Sequence, residues 1–118
     1  VAPNLFGDIL TDLSAVLVGG LGFAPGGNLS VTGPSMFEPP HGSAPDIMGK
    51  GIANPIAAIL TAGFMMESLG ENAVADTIRK GVAAVVADGR TLTPDAGGQA
   101  TTAEVGDAIV AFLHGKTV

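Results

Sequence analysis

The chain has no cysteine, no tryptophan and no tyrosine. Without cysteine there are no disulfides and no thiolate metal sites, which fits a cytoplasmic setting. With aromatic residues at 4%, the core must be built from Ala, Val, Leu, Ile and Met. Charge is also scarce. Charged residues make up 14% of the chain, against a usual share of about 25%, so part of the surface is expected to be covered by something else. Only five residues are basic and the net charge is −6. The basic residues are scattered and cannot neutralise a phosphate backbone, which argues against nucleic acid. The longest apolar run, 55–66, is interrupted by Thr61 and falls short of the roughly 20 residues that span a bilayer. No membrane partner is expected, and no signal-peptide pattern is present. The chain starts at Val1 without Met and reads as a piece of a longer one.

What is present is glycine and proline, 18 and 8 residues in a chain of 118. They punctuate a mostly helical pattern. Residues 5–18 have helical period, with Ile9, Leu10, Leu13, Val16 and Leu17 on one arc and Asp8 and Asp12 at its edge. Gly19-Gly20 ends this helix. Leu21–Ala24 and Ser35–Glu38 are candidate extended segments. Asn54-Pro55 predicts a capped helix start. The helix over 55–69 is apolar nearly all round, so it should be deeply buried. A second helix over 72–87 places Val74, Ile78, Val82 and Val85 inward and Asp76, Arg79 and Lys80 outward, ending at Gly89. Residues 90–100 form a turn-rich connector. Thr101-x-x-Glu104 is a capping box, followed by Val105, Ile109, Phe112 and Leu113 at core spacing.

Three groups could carry chemistry. Asp8 and Asp12 lie one helical turn apart and repel. The pair is either a solvated face or a site where a hard cation such as Mg²⁺ or Mn²⁺ relieves that repulsion. The stretch 38–55 holds four prolines and three glycines and leaves no room for regular structure. Within it, Gly42 and the small side chains Ser43 and Ala44 let backbone N–H groups approach a phosphate. Asp46 can accept both ribose hydroxyls and would repel a 2′-phosphate, favouring NAD over NADP. His41 could stack on adenine or bond to it. The alternative is an Asx-turn at Asp46 beside a surface histidine. Asn54 serves as a helix cap, a role compatible with ligand contact. No Gly-x-Gly-x-x-Gly follows a strand, so an ordinary Rossmann site is not supported. The four methionines and Phe64 read as core filling, and His114 as a solvated helix-end residue.

Five ordered motifs, Asn4–Asp12, Gly20–Asn28, Phe37–Ile47, Gly49–Pro55 and Thr93–Thr102, resemble the C-terminal third of the isocitrate/isopropylmalate dehydrogenases. These are metal-dependent β-decarboxylating dehydrogenases that include homoisocitrate and tartrate enzymes. The resemblance implies an α/β, non-Rossmann fold, present here only as its C-terminal portion, mostly helical with a few short strands. It implies that Asp8 and Asp12 are Mg²⁺ or Mn²⁺ ligands. It assigns Glu38, His41, Gly42, Ser43, Ala44, Pro45, Asp46, Ile47 and Asn54 to cofactor binding, with Asp46-Ile47 matching the NAD-type members. It places residues 1–20 at the end of a smaller, dimer-forming domain and 21–118 in a larger, cofactor-binding one.

The activity implied is NAD-dependent oxidation and decarboxylation of a 2-hydroxy acid by a homodimer or higher oligomer. The substrate-binding arginines, the acid/base residues and a third metal aspartate would lie upstream, in a missing N-terminal portion, leaving no catalytic residue here. Gly19–Asn28 looks more like the isocitrate and homoisocitrate branch than the isopropylmalate branch. Pro40 and Ala96 depart from the family pattern, and neither removes a functional group. A competing reading is a non-catalytic nucleotide-binding or regulatory module, against which the retained Asp8 and Asp12 argue.

Overall fold

A computed structural model describes residues 1–115. Four helices carry the structure: α1 (Asn4–Leu17), α2 (Ile56–Ser68), α3 (Asn72–Asp88) and α4 (Thr102–Leu113). Two two-residue strands, β1 (Gly27–Asn28) and β2 (Met36–Phe37), form one antiparallel pair with Gly27 opposite Phe37 and Asn28 opposite Met36. No described helix is long and apolar enough to cross a membrane.

Helices α2, α3 and α4 pack in chain order and enclose Ile56, Val82, Val85, Val105 and Ile109. Glycine brings the helices together. A Cβ on Gly63 of α2 would lie 3.3 Å from Ile78 Cγ2, and one on Gly81 of α3 would lie 3.3 Å from Phe112 Cδ1. The hairpin rests on α2 through an edge-to-face pair, Phe37 and Phe64, with ring centroids 5.6 Å apart. Buried Thr61 ties the preceding loop to the same helix. Its hydroxyl donates to Ala57 O at 2.7 Å and accepts from Gly26 N at 3.2 Å.

The structure departs from the sequence pattern in five places. Leu21–Ala24 is a turn: Phe23 N donates to Gly20 O and Ala24 N to Leu21 O, after Gly19 and Gly20 swing the chain round at positive φ. In α3, Val74 is exposed and Ala75 is fully buried instead. Ala75 faces Gly63 of α2 beside Ile78, with its backbone O 3.8 Å from where a Gly63 Cβ would lie. Helix α2 buries Ile56, Ala57, Thr61 and Gly63, but much of the rest is only partly covered. Leu113, at the last turn of α4, is 38% exposed. The 38–55 stretch is not wholly irregular, since Pro45–Ile47 makes one 3₁₀ turn.

Helix α1 stands apart from the three-helix core. Its apolar arc is present but uncovered: Ile9, Leu10, Leu13, Val16 and Leu17 are all exposed, and Ala15 is the one buried residue of the helix.

Candidate functional site

The loop 38–55 is anchored from both sides. At its end, Asn54 Oδ1 accepts from Ile56 N, at the first residue of α2, at 3.0 Å, while Pro55 takes the N-cap position expected of Asn54, and Gly22 O accepts from Ala57 N at 2.9 Å. From α4, Thr102 N donates to Gly51 O at 2.8 Å and Thr102 Oγ1 to Ala53 O at 2.6 Å. Asn54 Nδ2 donates to Asp95 Oδ2 at 3.0 Å, joining the loop to the 3₁₀ turn Pro94–Ala96. The chain around Gly51–Asn54 is therefore held by bonds to residues far away in sequence.

These anchors frame a cleft of about 880 Å³, within the range of small-ligand sites. One wall is His41, Gly42, Ser43, Ala44, Ile47 and Met48. Gly49, Gly51, Ile52, Ala53 and Asn54 form the floor, and Gly22, Pro94, Asp95 and Thr102 close the other side. Residues at the starts of both α2 and α4 thus border the same space. Most of the first N–H groups are already taken within the protein, Ile56 N by Asn54 Oδ1, Ala57 N by Gly22 O, Thr102 N by Gly51 O and Glu104 N by Thr101 Oγ1, so what the two helix starts mainly offer the cleft is positive potential.

The loop wall carries a local constraint. Ala44 has φ 43°, the sole positive value at a non-glycine among the described residues. Left-handed backbone is uncommon for alanine and is disfavoured before a proline such as Pro45. It is held by the following turn, in which Ile47 N donates to Ala44 O at 3.0 Å and Met48 N to Pro45 O at 3.3 Å. His41 Nδ1 lies 3.2 Å from Gly42 O. In the tautomer that makes this bond, Nε2 remains an acceptor.

Of the nine residues assigned to the cofactor, the structure gathers His41, Gly42, Ser43, Ala44, Ile47 and Asn54 around the cleft. Pro45, Asp46 and Glu38 do not line it. Asp46 is exposed on the 3₁₀ turn between two lining residues, and Glu38 follows β2. Asp8 and Asp12 are exposed on α1, with Asn4 Nδ2 3.5 Å from Asp8 Oδ2. No described group of three or more His, Cys, Asp or Glu side chains gathers where a metal could sit.

The capping box of α4 is complete. Thr101 Oγ1 accepts from Glu104 N at 3.2 Å, and Glu104 Oε2 accepts from Thr101 N at 2.7 Å. The Thr101 backbone N–H, and then its hydroxyl, hold the Glu104 carboxyl below the usual glutamate range.

Residues 1–109 match the model of the isocitrate/isopropylmalate dehydrogenase family. The chain belongs to this family. It is 56% identical to an isocitrate/homoisocitrate dehydrogenase of Thermus thermophilus over 113 residues, which is 96% of this chain and 33% of that one. It is also 56% identical to a 3-isopropylmalate dehydrogenase of Corynebacterium efficiens, covering 96% of this chain and 32% of the relative. The crystal structure of isocitrate dehydrogenase from Methylococcus capsulatus superposes with a TM-score of 0.87 at 47% identity, over 93% of this chain and 33% of that one. The fold is thus of the isocitrate/isopropylmalate dehydrogenase type, and the chain spans about a third of the length of the family members it matches.

Asp95 was not singled out for the site from sequence. Its motif, Thr93–Thr102, is visible, but its partner Asn54 lies 41 residues away. No local pattern announces that bond.

Proposed function

We propose that this chain is the C-terminal part of an NAD-dependent oxidoreductase that oxidises and decarboxylates a 2-hydroxy acid with Mg²⁺ or Mn²⁺. The carrying observation is the cleft. In a member of a dehydrogenase family, the loop that sequence marks for adenosine forms a wall of an 880 Å³ space bordered by two helix starts. The adenosine of NAD would lie along His41–Ala44 and Asn54. Asp46, beside that wall, would take the ribose hydroxyls and repel a 2′-phosphate.

Asp8 and Asp12 suit a divalent ion in part. They offer two carboxylates on one helix face, and a hard dication takes one or two carboxylates, completing its shell with substrate and water. Bound there, the ion would supply Lewis-acid stabilisation of charge developing on the hydroxy acid. The remaining protein ligands and the proton-transfer groups would come from upstream sequence. The acid is of the isocitrate, homoisocitrate, isopropylmalate or tartrate type. The equal identities to isocitrate/homoisocitrate and isopropylmalate enzymes do not choose among them. Residues 1–20 would close the smaller domain and residues 21–118 build the larger. The bare apolar arc of α1 would be covered in a homodimer or higher oligomer.

The test is cofactor choice in the protein encoded by the complete reading frame. Asp46→Lys should shift the NAD to NADP ratio of kcat/KM toward NADP by about tenfold or more, since removing one charge repulsion and adding one attraction is worth at least about 1.4 kcal/mol. A ratio that does not move would remove Asp46 from cofactor reading.

A further inference from the structure

Asn54 is held at two points. Its Oδ1 accepts from Ile56 N and its Nδ2 donates to Asp95 Oδ2, both at 3.0 Å. Either bond alone leaves the amide free to swing about a single contact. Together they fix its plane and decide which end faces which neighbour. A flipped amide would set its NH₂ against the Ile56 N–H and its oxygen against the Asp95 carboxylate, replacing two attractions with two repulsions. The pair is also boxed in. A Cβ on Gly22 would lie 3.0 Å from Asp95 Oδ2 and 3.4 Å from Asn54 Nδ2. Gly22, Asn54 and Asp95 all line the cleft. Among the described residues, the second Asn54 amide hydrogen and Asp95 Oδ1 have no protein partner.

We propose that Asp95 is a positioning residue for the nucleotide, fixing the Asn54 amide so that its remaining N–H is set to donate to a ligand in the cleft. This rests on the reading of the cleft as the NAD site. The bond also ties the Pro94–Ala96 turn to the start of α2, so the two sides of the cleft are set by one side-chain contact.

Three variants of the protein from the complete reading frame separate positioning from charge. Asp95→Ala removes the anchor and should raise the KM for NAD about fivefold to tenfold, the effect of losing one ordinary hydrogen bond between the Asn54 amide and the ligand. The kcat at saturating NAD and the KM for the hydroxy acid should stay within about twofold. Asp95→Asn keeps an oxygen at the same reach and should restore the KM for NAD to within about threefold of the parent. Asp95→Glu keeps the charge but displaces it by one carbon, so it should behave like Asp95→Ala. Rescue by Glu and not by Asn would show that charge matters, and would overturn positioning. So would a fall in melting temperature with an unchanged KM for NAD, the mark of a purely structural contact. His41→Ala tests the reading itself, because it removes an exposed ring from the cleft wall without touching a cap. If His41→Ala weakens NAD and Asp95→Ala does not, the NAD site stands and the role of Asp95 falls. If neither variant weakens NAD, both fall.

Discussion

A Cβ on Gly98 would lie 2.0 Å from Leu92 O and 2.6 Å from Leu92 C. These are backbone atoms, so no side-chain rotation relieves the clash. Gly98→Ala should cost about 2–4 kcal/mol, read as a lower urea midpoint at unchanged m-value. Gly106, inside α4, is the opposite case, with nothing within 4 Å of its added Cβ. Gly106→Ala should stabilise by roughly 0.5–1 kcal/mol through helix propensity. Sequence does not separate these two glycines, because the difference lies in what each one faces. Asn54 was legible, since Asn-Pro before an apolar run announces a helix start. Asp95 was not, since its role depends on a neighbour brought in by folding. Thr61 read merely as an interruption of an apolar helix, yet its hydroxyl satisfies Gly26 N from 35 residues away.

Among the elements, helix starts and stops were the most readable. The glycine after α3 and the Thr101–Glu104 box fall where local chemistry puts them, and α2 begins at Ile56, one residue after the Pro55 start that the sequence marks. The box also has a pH signature. The folded state holds the Glu104 carboxyl below its ordinary range. Its contribution is therefore fully present above the unfolded-state value and is lost as pH falls through the lower folded one. Glu104→Gln keeps an oxygen for the Thr101 N–H but no charge. The parent should exceed this variant in melting temperature near neutral pH, and the gap should close below about pH 4. A gap that stays constant over that range would mean the charge contributes nothing. Short extended segments were the least readable elements. Leu21–Ala24 has strand composition, but Gly19 and Gly20 before it turn the backbone, and Phe23 packs onto the core instead.

For the molecule as a whole, the radius of gyration is 14.9 Å, above the roughly 13.5 Å expected of a compact chain this long. Helix α1, with its apolar arc exposed, has no extensive packing against the three core helices. The low charge content pointed to covered surface, and the structure locates the largest bare apolar stretch on α1. Two outcomes follow for the chain produced alone. It should sediment as more than a monomer at micromolar concentration, and Leu10→Gln with Leu13→Gln and Leu17→Gln should return it to monomer. It should also show no NADH formation above a metal-only blank with isocitrate, isopropylmalate or tartrate, since the resemblance leaves its acid/base groups outside these residues.

The bonds that frame the cleft have a consequence in time. Ala53 and Thr102 are 49 residues apart, and Asn54 and Asp95 are 41 apart. Closing chain loops of this length carries an entropic cost that adjacent contacts such as α2 against α3 do not bear. The helical pairs should therefore form first and the cleft last, after α4 has docked. During synthesis it could not exist until residues 94–102 have been made. A nucleotide that binds only the finished cleft would leave the folding rate unchanged and slow unfolding instead, so the cofactor would act as a latch on a completed molecule and not as a template for its assembly.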